Sequence, residues 1–134
     1  MDYRAVNAKT NHDSYPPPNI EATFDALSGS SWYCTLDLQA GYHNVPVALE
    51  DRDKNQFVTC RGTWRWKLMP FGLSTAPGTF QRLIDLTTCG LKYDSVLVHL
   101  DELINLADSF NQLMQRFEVV LGHLHAANLQ AQLW

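Results

Sequence analysis

Cysteine is scarce in this chain: Cys34, Cys60 and Cys89 stand far apart, and none belongs to a CxxC pair. Each lies in an apolar or turn context, which favours buried or free thiols over zinc ligands or disulfides. A reducing, intracellular setting, cytoplasmic or nuclear, is the expectation. No apolar run approaches the roughly 18 residues of a membrane span, and the first residues lack the pattern of a signal peptide, so no membrane partner is expected. Low-complexity runs are missing as well. With 46% hydrophobic residues among 134, the chain can bury the core of one globular domain.

Negative charge is absent where it would be most expected. Between Lys54 and Ile84 there is no aspartate or glutamate, but there are five bases, Lys54, Arg61, Arg65, Lys67 and Arg82. That segment is +5 in a chain of net charge −4, which leaves −9 for the remainder. Local field counts for more than the total, so the strip suits a phosphate backbone as well as it suits the solvated face of a hairpin.

Within it lies the most idiosyncratic stretch, Leu68 to Arg82. Pro70 and Gly72 break regular structure around Phe71, leaving an aromatic ring at a turn. Ser74 or Thr75 can cap a helix, and Pro77 suits its first residue, where the missing N–H costs nothing. Phe80, Leu83, Ile84 and Thr87 then give helical spacing.

The rest of the chain reads in order. Met1 to Thr10 reads as a strand end or loop, and Tyr15-Pro16-Pro17-Pro18 as a stiff spacer. Asn19 caps a short helix with Ile20, Phe24 and Leu27 on one face, and Gly29 can stop it. Trp32 to Leu38 is a strand, Asn44 to Val47 continues extended, and Glu50 to Lys54 is a charged surface loop. Phe57–Cys60 and Thr63–Leu68 form a hairpin around Arg61-Gly62, with Trp64, Trp66 and Leu68 alternating against Arg65 and Lys67. The two tryptophans read as core packing in preference to base stacking. Ser95–Leu100 and Leu103–Leu106 form a second hairpin. A helix from Asp108-Ser109 to about Asn128 carries Leu113, Phe117, Val120, Leu121 and Leu124, and Leu129–Trp134 reads as a final strand. His123 and His125 point to nearly opposite sides of that helix, so they read as surface residues. The expected class is α+β, an antiparallel sheet backed by helices.

Asp37 is the odd residue of its strand, because a carboxylate among β-formers is costly to bury unless paired or bound to a cation. Asp101-Glu102 sits at a hairpin tip, where the plain alternative is two acids facing water. If these tips are neighbours, three acids meet. Like charges that close resist ionisation unless a divalent cation is present, and hard oxygen donors select magnesium or manganese. Two such ions about 4 Å apart serve nucleotidyl transfer. A two-carboxylate hydrolase needs only a pair of acids, but accounts for neither Met69–Gln81 nor the basic strip.

Five blocks together resemble the palm and part of the fingers of a reverse transcriptase of gypsy-like LTR retrotransposons. They are Tyr3-Arg4-x-x-Asn7, Tyr15-Pro16-x-Pro18-x-Ile20, Leu36-Asp37-Leu38-x-x-Gly41-Tyr42-His43, Met69-Pro70-Phe71-Gly72-Leu73-x-x-Ala76-Pro77-x-x-Phe80-Gln81, and Leu100-Asp101. The resemblance spans nearly the whole chain and implies a polymerase palm-type fold. It implies that Asp37 and Asp101, with Glu102 and the Leu38 carbonyl, hold two Mg2+ or Mn2+ ions. Ala40 and Gly41 amides would meet the triphosphate, Tyr42 would lie under the sugar and exclude a 2′-hydroxyl, and Phe71 would sit near the incoming dNTP. Arg4, Asn7, Gly72 and Pro77 would line the template, and His99 the primer terminus. The implied partners are an RNA or DNA template with primer, a dNTP, and the remainder of a polyprotein.

The chain departs from the family at the hairpin. Where the family reads Tyr-x-Asp-Asp, this chain reads His99-Leu100-Asp101-Glu102, so one carboxylate is a methylene longer and the tyrosine is a histidine. The family's thumb and ribonuclease H region would lie outside residues 1–134, which are expected to form a single palm with partial fingers. Taken alone, that fragment is expected to be weakly active or inactive. Two functions follow: an RNA-directed DNA polymerase core, or a catalytically degraded relative retained for nucleic-acid or protein binding.

Overall fold

The computed structural model of the chain describes residues 1–11, 15–16, 19–92, 94–99 and 102–132. Its elements are α1 (Arg4–Asn7), α2 (Ile20–Leu27), β1 (Trp32–Leu38), β2 (Gln56–Thr59), β3 (Gly62–Arg65), α3 (Ala76–Thr87), β4 (Val96–His99), β5 (Glu102–Ala107), α4 (Phe110–Ala126) and β6 (Ala131–Gln132). Strands β4-β5-β1-β6 form one antiparallel sheet, and β2 with β3 forms a separate ribbon. The expected α+β class, an antiparallel sheet backed by helices, is what forms.

Alternation along β1 explains the layering. Leu36 and Leu38 are buried while Asp37 between them is only half-buried, because successive side chains leave a strand on opposite faces. Leu36, Leu38, Val96, Val98 and Leu103 meet Phe80 and Ile84 of α3 and Val120 and Leu124 of α4 in one apolar core. Helix α4 begins where Ser109 Oγ accepts the Gln112 N–H at 3.3 Å while Gln112 Oε1 accepts the Asp108 N–H at 3.0 Å. That reciprocal exchange satisfies amides a helix start would otherwise strand. Asn19 does the same for α2 through the Glu21 N–H at 3.0 Å.

Several expectations are corrected. Residues 4–7 are helical, not a strand end or loop, because Asp2 Oδ1 accepts the Arg4 N–H at 3.0 Å and starts the turn. Leu49–Asn55 is a 3-10 helix in place of a loop, and Gly41–Asn44 is another. Only Val45–Val47 continues extended, against Lys67–Met69, through Val47 N–H to Lys67 O at 2.9 Å and Met69 N–H to Val45 O at 2.8 Å. The first hairpin turns one residue earlier than expected, over Cys60-Arg61, since Gly62 already pairs with Thr59. Trp64 is 52% exposed, so it is not core: among the described residues no layer covers this two-stranded ribbon. Phe24 and Leu121 are also exposed, and neither belongs to the buried stripe of its helix. Thr75 precedes α3 without a side-chain cap, and Pro77 is its second residue. Pro17 and Pro18 of the spacer lie outside the described residues.

Candidate functional site

Strand register brings the two acidic segments together. Asp37 of β1 stands directly opposite Glu102 of β5, Glu102 stands opposite His99 of β4, and Asp37 stands opposite Gln132 of β6. Residues paired in this way point to the same face with Cβ atoms about 4.5–5.5 Å apart. His99, Glu102, Asp37 and Gln132 therefore form one polar row across all four strands, on the face opposite Leu36 and Leu38. Leu100 and Asp101 lie outside the described residues. Two carboxylates directly opposite repel, and among the described residues no basic side chain pairs with either. Among those residues no group of three potential ligands forms. Even so, the pair Asp37 and Glu102 offers hard oxygen donors of the kind Mg2+ or Mn2+ takes, and no thiolate stands in the row.

The backbone at the end of β1 lies beside this row. The Gln39 N–H donates to Gln130 O at 2.8 Å, so in this antiparallel register Asp37 bonds toward β6 and Leu38 turns its N–H and C=O toward the β4–β5 side. Ala40 then adopts a left-handed conformation (φ 48°, ψ 47°) that costs a residue with a Cβ about 1–2 kcal/mol. The turn is held by the Asn44 amide, which donates to Gln39 O at 3.0 Å, and Gly41 is buried within it.

Tyr42 leaves this turn into a group of rings. Its ring lies 5.5 Å from buried Phe80 and 5.2 Å from Phe71, which is 56% exposed. The Phe71 turn needs Gly72 at φ +95°, where a Cβ would also meet the Tyr3 ring at 3.4 Å. Asn7 clasps that turn: its Nδ2 donates to Gly72 O at 2.8 Å and its Oδ1 accepts the Ser74 N–H at 3.0 Å. The structure thus brings Asn7 and Gly72 into contact. Arg4 stays at the surface, paired with Asp2 at 2.6 Å, and Pro77 is exposed at the start of α3. His99 belongs to the acidic row.

The basic strip is partly neutralised. Lys54 pairs with Asp51 and Arg65 with Asp53, both acids of the 3-10 helix Leu49–Asn55, while Arg82 lies 5.1 Å over the Tyr15 ring. Arg61 and Lys67 are exposed. A cavity of about 860 Å³ opens beside α1, lined by Val6, Val45, Val47, Met69 and Leu73, and shares no residue with the acidic row.

Sequence reasoning missed the ring contacts of His43, and a network around Asp85 that joins residues too distant in sequence to suggest one another. His123 is also not a plain surface residue, since its Nδ1 lies 2.8 Å from Thr87 O at the end of α3.

The model of a family described as reverse transcriptase (RNA-dependent DNA polymerase) matches residues 1–133. The retrovirus-related Pol polyprotein from transposon 297 of Drosophila melanogaster is 35% identical over 133 residues, 99% of this chain but 13% of that protein. The Pol polyprotein from transposon 412 is 31% identical over 97% of this chain and 10% of its own length. An RNA-directed DNA polymerase homolog of Oenothera berteroana is 36% identical over 78% of this chain and 73% of its own. The chain spans only about a tenth of the transposon polyproteins it matches. In fold, it is similar to the foamy viral protease-reverse transcriptase in complex with an RNA/DNA hybrid, with a TM-score of 0.84 at 18% identity over 98% of this chain and 18% of that one.

Proposed function

Since the chain belongs to the reverse transcriptase family, we propose that it is the palm, with part of the fingers, of an RNA-directed DNA polymerase from a retrotransposon-type polyprotein. Its substrates are then a primed RNA or DNA template and a dNTP, and its setting is intracellular. The observation that carries this reading is the placement of Asp37 opposite Glu102, at the strand end that leads directly into Ala40, Gly41 and Tyr42.

In that role Ala40 and Gly41 offer backbone amides to the triphosphate, from a turn held in place by Asn44. Tyr42, braced by Phe80, supports the sugar and leaves no room for a 2′-hydroxyl, and Phe71 borders the incoming nucleotide. Asn7 and Gly72 shape the template side with Arg4 and Pro77, and His99 lies beside the primer terminus. Two Mg2+ or Mn2+ ions, held by Asp37, Asp101 and Glu102 with the Leu38 carbonyl, would supply neutralisation of phosphate charge and activation of the primer hydroxyl. Binding of the duplex rests on Arg61 and Lys67 more than on Lys54 and Arg65, whose charges are already matched.

A second reading has its own support in Glu102. The longer carboxylate faces Asp37 at a position where the family has aspartate, and a displacement near 1 Å can cost on the order of 100-fold in rate. The chain would then keep the fold for nucleic-acid or protein binding. Primer extension separates the two, run on the chain alone and on the chain joined to the thumb and ribonuclease H regions of a related polyprotein. Incorporation abolished by Asp37→Asn is the expected result. Template–primer binding without incorporation in either format would leave the second reading.

A further inference from the structure

Phe71 is more than half exposed, yet its ring is not free, because it ends a run of aromatic contacts that begins at Phe57 and Trp66, within the basic strip. Trp66 is the fixed point. Its backbone is clasped by Asn55, which is 4% exposed: Asn55 Oδ1 accepts the Trp66 N–H at 2.9 Å and Asn55 Nδ2 donates to Trp66 O at 3.3 Å. Phe57 packs beside the Trp66 ring at 5.7 Å. His43 stacks on Trp66 with centroids 5.7 Å apart and 17° between planes, and meets Phe71 edge-on at 4.9 Å. Phe71 in turn meets Tyr42 at 5.2 Å, and Tyr42 rests on buried Phe80 at 5.5 Å. The exposed ring is therefore held between two buried anchors, Asn55 and Phe80.

We infer that His43 and Trp66 are positioning residues that fix Phe71 against Tyr42, and so set how strictly the site distinguishes deoxynucleotides from ribonucleotides. This rests on the nucleotide reading of Tyr42 given above. Geometry gives the reason. Tyr42 rests on buried Phe80 and also meets Phe71, and it is His43, edge-on to Phe71 and stacked on Trp66, that keeps the exposed Phe71 ring from swinging into solvent. Loss of His43 would leave the floor of the sugar pocket in place but loosen its wall. Selectivity then falls while binding of the preferred sugar is largely kept. Aromatic contacts of this kind are each worth a few-fold to about tenfold in an equilibrium.

The test measures equilibrium binding of dATP and ATP, with Mg2+, to the chain loaded on a template–primer whose 3′ end is dideoxy-terminated. The ratio of the two dissociation constants is compared among wild type, His43→Ala, His43→Phe and Trp66→Leu, with thermal unfolding as the fold control. The ratio is expected to fall about 3- to 10-fold in His43→Ala and Trp66→Leu and to be restored in His43→Phe. If wild type discriminates and His43→Ala discriminates equally well, the positioning role is wrong and the nucleotide reading stands. If wild type binds neither nucleotide, the nucleotide reading fails and this role fails with it. If His43→Ala does not fold, the comparison of Trp66→Leu with His43→Phe decides in the same way.

Discussion

Asp37 and Glu102 face each other across adjacent antiparallel strands, with His99 next in the same row. Among the described residues no basic side chain pairs with either acid. Strand pairs with like charges directly opposite are destabilised by a few tenths to about 1 kcal/mol. By that rule the Asp37–Glu102 pair costs the sheet stability, a cost that a shared cation would offset.

Shortening Glu102 should favour chemistry. Glu102→Asp withdraws the carboxylate by one methylene without changing charge. Where Mg2+ demands a near-octahedral shell, a gain of up to about 100-fold in incorporation is expected. Single-turnover primer extension checks it, and an unchanged or lower rate would mean that the longer side chain suits this site.

A pH dependence follows from Asp85. Burial alone would push its carboxyl up, but hydrogen bonds from Lys92 at 2.8 Å, Tyr15 at 2.7 Å and Gln81 at 3.0 Å outweigh this and hold it below the ordinary 3.8. A carboxylate with a depressed folded-state pKa stabilises fully above its unfolded value and loses that contribution as pH falls through the folded one. Asp85→Asn should therefore cost about 1–3 kcal/mol near neutral pH and progressively less below about pH 4. Urea unfolding of both proteins across that range checks the sign. A constant difference at every pH would contradict it.

The elements that sequence read well are those in which a single signal was repeated. The run of β-formers from Trp32 to Leu38 gave a strand, and Phe80 with Ile84 gave the buried side of α3. Register was legible only as far as the hairpin Val96–Ala107 implied it, and pairing with β1 needed the fold. Helix α1 was missed because its start depends on one Asp2 side chain. Trp64 was misplaced because alternation marks an apolar face without saying whether a second layer covers it. The Asp85 network was invisible because Tyr15 approaches from 70 residues away. At the candidate site, motif singled out Asp37, Tyr42 and Phe71 in advance, while the ring contacts that brace Phe71 had no sequence signal.

Asn105 offers a stability test remote from the site. It is fully buried in β5, and among the described residues neither its Nδ2 nor its Oδ1 has a hydrogen-bond partner. An unmet buried amide costs about 1–3 kcal/mol. Its register neighbours are Val96 and Cys34, so Asn105→Val adds a side chain suited to the strand. A higher urea midpoint with unchanged slope is expected, and a lower midpoint would show that the amide is satisfied in solution.

The central claim, that the acidic row shares divalent cations, is tested most directly by calorimetric titration of the chain with Mn2+, repeated with Mg2+ and with the Asp37→Asn and Glu102→Gln variants. Saturable binding in the wild type that is lost or weakened about tenfold or more in Asp37→Asn is the expected result. Cation binding indifferent to Asp37, or none at all in a folded chain, would contradict it.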